Sequence, residues 1–447
     1  MNDININIIS EGIAILILSI AEISLQTLLQ APSKMDTVEK TFLLYIAGLI
    51  GVEKKATCSK MAKKLGNISH DKLNRILKEG GTIASKIVLA FINFCISQTG
   101  GFLILDDVLI SKRSSSKIEG VYNEFDTKDK EKTKGMRIVM VIWSNGVIRI
   151  PVAWAIWHKE DKTFMGLTKK GHAKYKHTGL CLLKINGVAL PYKTKNQIGL
   201  ELLNNVIKKG IKPEYVTFDS WYVGKMNLKS LFLAGLPCYS RLKANRKVIF
   251  EGETLSLKQL AKRFRTFTFD HKHDAYIKAI EVYLPGCGQI KLLFVRKDKH
   301  IEPGASKFIL CTELQVSAPQ ILLRYRSRWA IETLFRDVKQ NLNFEACQAR
   351  LLCMQENHIA FSLFAFVVLE LQPALSFNNF VFQTIGEKKE ILSSLLLIKK
   401  KQKFFFLDTR NTNTIPIPLQ GSSFDRVLST LDFSFKILDY QRAKKSA

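Results

Sequence analysis

Residues 136–157 read MRIVMVIWSNGVIRIPVAWAIW, two apolar runs, Met136 to Trp143 and Val147 to Trp157, joined by Ser144-Asn145-Gly146. An Asn-Gly pair between such runs signals a hairpin, because both residues tolerate the positive φ that a tight turn of matching twist requires. Upstream, a continuous apolar run, Phe102 to Leu105, ends in Asp106 and Asp107 and is followed by a polar loop, Ser111 to Lys134. The three runs together predict a three-stranded meander. Downstream, Lys193 to Lys209 has helical spacing, and Tyr215 to Phe218 reads as a short strand ending at Asp219. Val223 to Ala234 reads as a helix closed by Gly235, and Leu236 to Leu242 as another strand.

Strand-strand-strand-helix-strand-helix-strand is the order of a ribonuclease H-like core, an α/β fold whose mixed sheet carries helices on both faces. Between Lys243 and Gln320 the pattern is mostly strand-like, with alternation at Ala279 to Leu284 and Ile290 to Val295 and turns at Pro285-Gly286 and Pro303-Gly304. Pro319 then opens a helical stretch to about Asn341, and a more apolar helix covers roughly Cys353 to Leu371. The expected division is a helical N-terminal domain (1–97), a ribonuclease H-like core (98–242 and 321–372) split by a β-rich insertion (243–320), and a basic C-terminal segment (373–447). No internal repeat is visible.

The chain has 447 residues, long enough for two to four structural units. Lys plus Arg number 67 against 39 Asp plus Glu, a net charge of +28 beside 47% hydrophobic residues. Such a chain can bury a core and still present a positive exterior, so disorder is not expected. A surplus of this size suits a polyanion, since each Lys or Arg that neutralises a phosphate releases condensed counterions. The eight cysteines contain no C-x-x-C pair, which fits buried thiols in a reducing, cytoplasmic compartment. The apolar opening, Ile4 to Ile23, is interrupted by Glu11 and Glu22, so it is too short for a bilayer and reads as an amphipathic packing helix. No membrane partner is expected.

Within the N-terminal block, residues 57–79 have helix-turn-helix spacing. Met61, Ala62 and Leu65 mark one short helix, Gly66 and Asn67 break it, and Ser69 can cap a second whose Leu73, Ile76 and Leu77 face inward. Lys72, Arg75 and Lys78 then point outward with Asn74 nearby, a set suited to phosphates and base edges in a major groove. The alternative is a helical hairpin inside a structural bundle.

Three carboxylates stand out by position: Asp107 after the first strand, Asp219 after the fourth, and Glu332 on the helix beyond the insertion, with Asp106 the alternative to Asp107. A cluster of this kind supplies the hard oxygen ligands that Mg²⁺ takes, and two such ions can activate an attacking oxygen and stabilise a leaving one. The helix around Glu332 reads YRSRWAIETLFRDVK from Tyr325 to Lys339. Tyr325, Arg328, Glu332, Arg336 and Lys339 recur at steps of three and four and so form one stripe, while Trp329, Leu334 and Val338 are expected to face the core.

The run Tyr325-x2-Arg328-x3-Glu332-x6-Lys339 resembles the YREK signature of DDE transposases encoded by bacterial insertion sequences. LILDD at 103–107, TFDSWY at 217–222 and ISHDKLNRIL at 68–77 are also similar to segments of that family, and the likeness covers roughly residues 55–370. The resemblance implies a cut-and-paste transposase with a ribonuclease H-like catalytic domain. Asp107, Asp219 and Glu332 would hold two Mg²⁺ ions, Mn²⁺ being able to substitute, while Tyr325, Arg328 and Lys339 contact the DNA backbone. Its partners would be double-stranded DNA at the element's inverted repeats, target DNA, and a second copy in a homodimeric synaptic complex. The alternatives are a DNA-binding remnant that no longer cuts and a host nuclease of the same fold.

Overall fold

The computed structural model describes residues 37–371 except 54, 67, 99, 114, 116, 127–130 and 169–170, together with 376, 377, 380, 381, 384–390, 392 and 393. The helix expected within 4–23, the basic cluster Lys399, Lys400, Lys401 and Lys403, and most of 373–447 lie outside the described residues. Through Leu371 the chain forms one compact unit, and Gln372–Ala447 forms a second.

Four helices come first: α1 (Thr37–Gly51), α2 (Cys58–Leu65), α3 (His70–Glu79) and α4 (Gly81–Ser97). The Thr57 hydroxyl accepts the Lys60 N–H to start α2, and Gly66 ends that helix at φ 83°, where a residue with a Cβ would be strained. Ser69 accepts the Lys72 N–H to start α3. Met61, Leu65, Leu73, Ile76 and Leu77 are buried, and Lys72, Arg75 and Lys78 are exposed.

The meander follows as β1 (Phe102–Ser111), β2 (Tyr122–Asp126), β3 (Glu131–Ser144) and β4 (Arg149–Trp157). The polar segment expected to be a loop thus contains β2, which pairs with the first half of β3 through Tyr122 opposite Gly135. Next come β5 (Glu160–Leu167), β6 (Ala173–Ile185) and β7 (Val188–Pro191), then α5 (Lys195–Lys208), β8 (Val216–Phe218), α6 (Lys225–Leu233) and β9 (Cys238–Leu242). The central strands run β4-β3-β1-β8-β9, with β3 antiparallel to both neighbours and β1, β8 and β9 mutually parallel. Every residue from Ile138 to Trp143 is buried, so β3 is covered on both faces. This mixed α/β arrangement is consistent with a ribonuclease H-like nuclease fold.

The insertion supplies β10 (Lys247–Phe250), β11 (Glu253–Ser256), α7 (Leu257–Lys262), β12 (Thr268–Asp270), β13 (Ala275–Leu284), β14 (Gly288–Arg296) and β15 (Lys307–Cys311). It is no separate layer. Because β15 pairs antiparallel with β9, the insertion continues the core sheet to twelve strands.

Helices α8 (Ala318–Arg326), α9 (Trp329–Asn341) and α10 (Leu352–Leu371) close the unit. The single helix expected from Pro319 to Asn341 breaks at Ser327 and Arg328, where the Ser327 hydroxyl donates to the Arg324 carbonyl. Helix α10 has the length and hydropathy of a membrane span, but 89% of its apolar window is buried inside the protein. Phe361 meets Phe42 at 4.9 Å, Phe364 stacks on Phe91 at 6.2 Å, and Asn357 Nδ2 donates to the Leu77 carbonyl at 2.7 Å. The first four helices therefore share one core with α10.

Candidate active site

Strands β1 and β8 run parallel with Leu105 beside Phe218, so Asp106 and Asp219 come next in register. Side chains in register on adjacent parallel strands leave the sheet on one face, and the next residue along β1, Asp107, leaves on the other. The contacts follow that geometry. Arg328 Nη1 lies 2.9 Å from Asp106 Oδ2, and its Nη2 donates to Glu332 Oε1 one turn further on, at the start of α9. Asp107 instead accepts from Arg137 Nη1 at 2.6 Å, Lys195 Nζ at 3.0 Å and the Tyr222 hydroxyl at 2.9 Å. The structure thus brings Asp106, rather than Asp107, to the side shared with Asp219 and Glu332.

The two neighbours are electrostatically opposite. Burial raises the Asp106 carboxyl to about 7, with Arg328 working against it and the negative charges of Asp107 and Asp219 adding to it. Burial also opposes ionisation of Asp107, but Lys195 and Arg137 outweigh it and hold that carboxyl below its usual range. Asp107 is therefore a saturated ion-pair centre. Asp106 is a carboxylate with too little positive charge around it. Among the described residues the Asp219 carboxylate makes no ion pair and accepts no hydrogen bond, and Tyr325 lies close enough to feel its charge.

Of the remaining residues of the stripe, Arg336 and Lys339 line a cleft with Asp106, Asp107, Arg137 and Glu332. Lys339 is anchored at its far end by the Leu109 carbonyl at 2.6 Å and Glu345 at 2.8 Å, whereas the Arg336 side chain is 58% exposed. Trp329 does not face the core. It is 60% exposed, because α9 begins there and buries Ile331, Leu334, Phe335 and Val338 instead. Arg149 braces the helix from below: it binds Asp337 at 2.9 Å and both oxygens of Glu370, at 2.7 and 2.8 Å. Sequence reasoning missed Arg137, Lys195, Tyr222 and Arg149. Tyr222 alone carried a signal, as the last residue of TFDSWY.

Among the described residues, no three His, Cys, Asp or Glu side chains stand close enough together to hold one metal ion. The reason is visible in the contacts, since the Arg328 guanidinium lies between Asp106 and Glu332. The donor set nevertheless fits hard divalent cations. Asp106, Asp219 and Glu332 are all oxygen ligands, and Arg328 is the cation that pairs with two of them. These three residues are the ones that would hold a divalent cation.

The profile of a family described as DDE superfamily endonuclease matches residues 30–264, more than half of the 447-residue chain and a span that includes Asp106 and Asp219. A second, described as archaeal putative transposase ISC1217, matches residues 174–378, which include Asp219 and Glu332. No curated protein matches. Among solved structures, the NurA nuclease from Sulfolobus solfataricus aligns over 75% of this chain and 97% of its own length, at 10% identity and a TM-score of 0.23.

Proposed function

Because the chain belongs to the DDE superfamily endonucleases, we propose that it is a transposase of the YREK subgroup, which cuts DNA at the ends of a mobile element and joins the freed 3′ hydroxyl to a target. The observation that carries this reading is the register of Asp106 with Asp219 on parallel strands, beneath a helix that offers Glu332. Two divalent cations, Mg²⁺ or Mn²⁺, would activate water and stabilise the leaving oxygen when bound. Asp106, Asp219 and Glu332 would hold them.

The chain's own residues do the rest. Arg328 keeps Asp106 and Glu332 apart until a DNA phosphate competes for its guanidinium, a bidentate partner suited to either anion. Arg336, more than half exposed on the cleft wall, takes a flanking phosphate. Lys339 lines the same path, held in place by Leu109 and Glu345, and Tyr325 takes the backbone beside Arg328. Lys72, Arg75 and Lys78 on α3 read the duplex at the inverted repeat, and the complete reaction uses two copies, one at each element end.

Purified protein incubated with Mg²⁺ and a duplex bearing the inverted repeat that flanks its gene tests this. The expected products are a nick at the repeat and, with target DNA added, a joined strand. Both should disappear in Glu332→Gln, with DNA binding retained. Clear binding without cleavage by the wild type would defeat the enzyme reading, and cleavage without preference for the repeat would defeat the transposase reading.

A further inference from the structure

Residues 159–193 carry eight Lys against Glu160 and Asp161. They form the three-stranded sheet β5-β6-β7, which is separate from the twelve-stranded one. Isolated sheets of this size are marginal without a covered apolar face. Yet Phe164, Leu167, Tyr175, Leu182 and Val188 are each at least 50% exposed. Strand pairing sorts the side chains. Phe164 opposite Tyr175, with ring centroids 5.8 Å apart, and Lys162 opposite His177 share one face; Thr163 opposite Lys176 and Gly166 opposite Lys174 share the other. Glu160 is already taken by His177 at 2.7 Å and Lys162 at 3.6 Å, so the remaining positive charge is unmatched within the sheet.

The root of this sheet fixes where its charge lies. Trp157 Nε1 donates to the Lys193 carbonyl, Trp157 is paired across β3 and β4 with Arg137, and Arg137 binds Asp107, the covalent neighbour of Asp106. We propose that β5-β7 is a DNA-gripping arm: a ribbon laid in a groove of the duplex beside the cleavage point, its lysines on phosphates and its aromatic face on sugars and base edges. The inference rests on the reading that DNA is the substrate. A second copy of the arm is the poorer occupant, because two-fold pairing would set six surplus positive charges against six more, whereas a duplex rewards each one. The dimensions agree as well. Beyond the reach of β7, Lys162–Leu167 and Ala173–His177 pair as a two-stranded ribbon, a shape that fits the major groove, and the eight residues of β5 extend about 26 Å, roughly the rise of eight base pairs.

Hydroxyl-radical footprinting of the full chain on a long duplex tests the arm, with binding measured across a salt series. The comparison uses the quadruple variant Lys162→Glu, Lys174→Glu, Lys176→Glu, Lys184→Glu, and a milder one with Gln at the same positions. The wild type should protect about eight base pairs on one side of the cleavage point. The Glu variant should lose that protection while keeping the footprint over the cleavage point, with the slope of log Kobs against log salt falling by about three to four and the Gln variant in between. An unchanged footprint and slope would overturn the arm's role, as would a variant that turns a dimer into a monomer in sedimentation while its footprint stays whole. Failure of the broader reading looks different: the wild type itself would not cut.

Discussion

At the scale of single residues, adjacent carboxylates on one strand have opposite duties because successive side chains leave opposite faces. Asp107→Ala should cost about 3 kcal/mol, since it removes the carboxylate shared by the largely buried Arg137 and Lys195 and leaves Arg137 only Glu124; a urea denaturation midpoint reads this. Asp106→Asn should instead remove cleavage and leave that midpoint near the wild-type value or above it. The pH dependence separates them further. The Asp106 carboxyl titrates at about 7 in the folded chain, against an ordinary value of 3.8. Between those limits the folded state holds the extra proton, so metal-free protein should lose stability as pH rises from about 4 to about 7 and then level off. The slope should vanish in Asp106→Asn. A wild-type urea midpoint that rises over this interval, relative to the variant, would contradict the assignment.

At the scale of elements, α3 and α9 both rest on a few polar contacts made at their ends or beneath them. Ser69→Ala removes the hydroxyl that accepts the Lys72 N–H and should cost about 1 kcal/mol. Lys72→Ala, Arg75→Ala and Lys78→Ala should leave stability alone, because all three are exposed. Each should lower the salt slope of duplex binding by about one if α3 lies on the phosphates. A structural hairpin would show no change in slope. For α9 the brace is Arg149: its replacement by Ala removes the ion pairs with Glu370 and Asp337, and a loss of about 3 kcal/mol is expected, with reduced cleavage because Glu332 sits on the same helix.

At the scale of the whole molecule, α10 joins the N-terminal helices to the sheet. Gly80 shows how tight the join is, since an added Cβ would meet the Ile76 carbonyl oxygen at 2.6 Å and the Phe361 ring at 2.7 Å. Residues 98–371 expressed alone should therefore expose Phe361 and Phe364, bind hydrophobic dyes and lack a cooperative unfolding transition. A sharp, dye-free transition would show that the two parts fold independently. What the sequence determined by itself was local and periodic. Helices α2 and α3 with the Ser69 start of the second, the Asn145-Gly146 turn, the run of core strands and the Glu332, Arg336 and Lys339 stripe all follow from residue spacing and capping chemistry, which act within a few positions along the chain. The tertiary structure decided the rest. That Asp106, and not Asp107, shares a face with Asp219 depends on the register between β1 and β8, set by partners more than a hundred residues apart. The lysine and arginine cage around Asp107, the extension of the core sheet by the insertion, and the shared core around α10 depend likewise on packing between distant segments, for which no local spacing carries a signal.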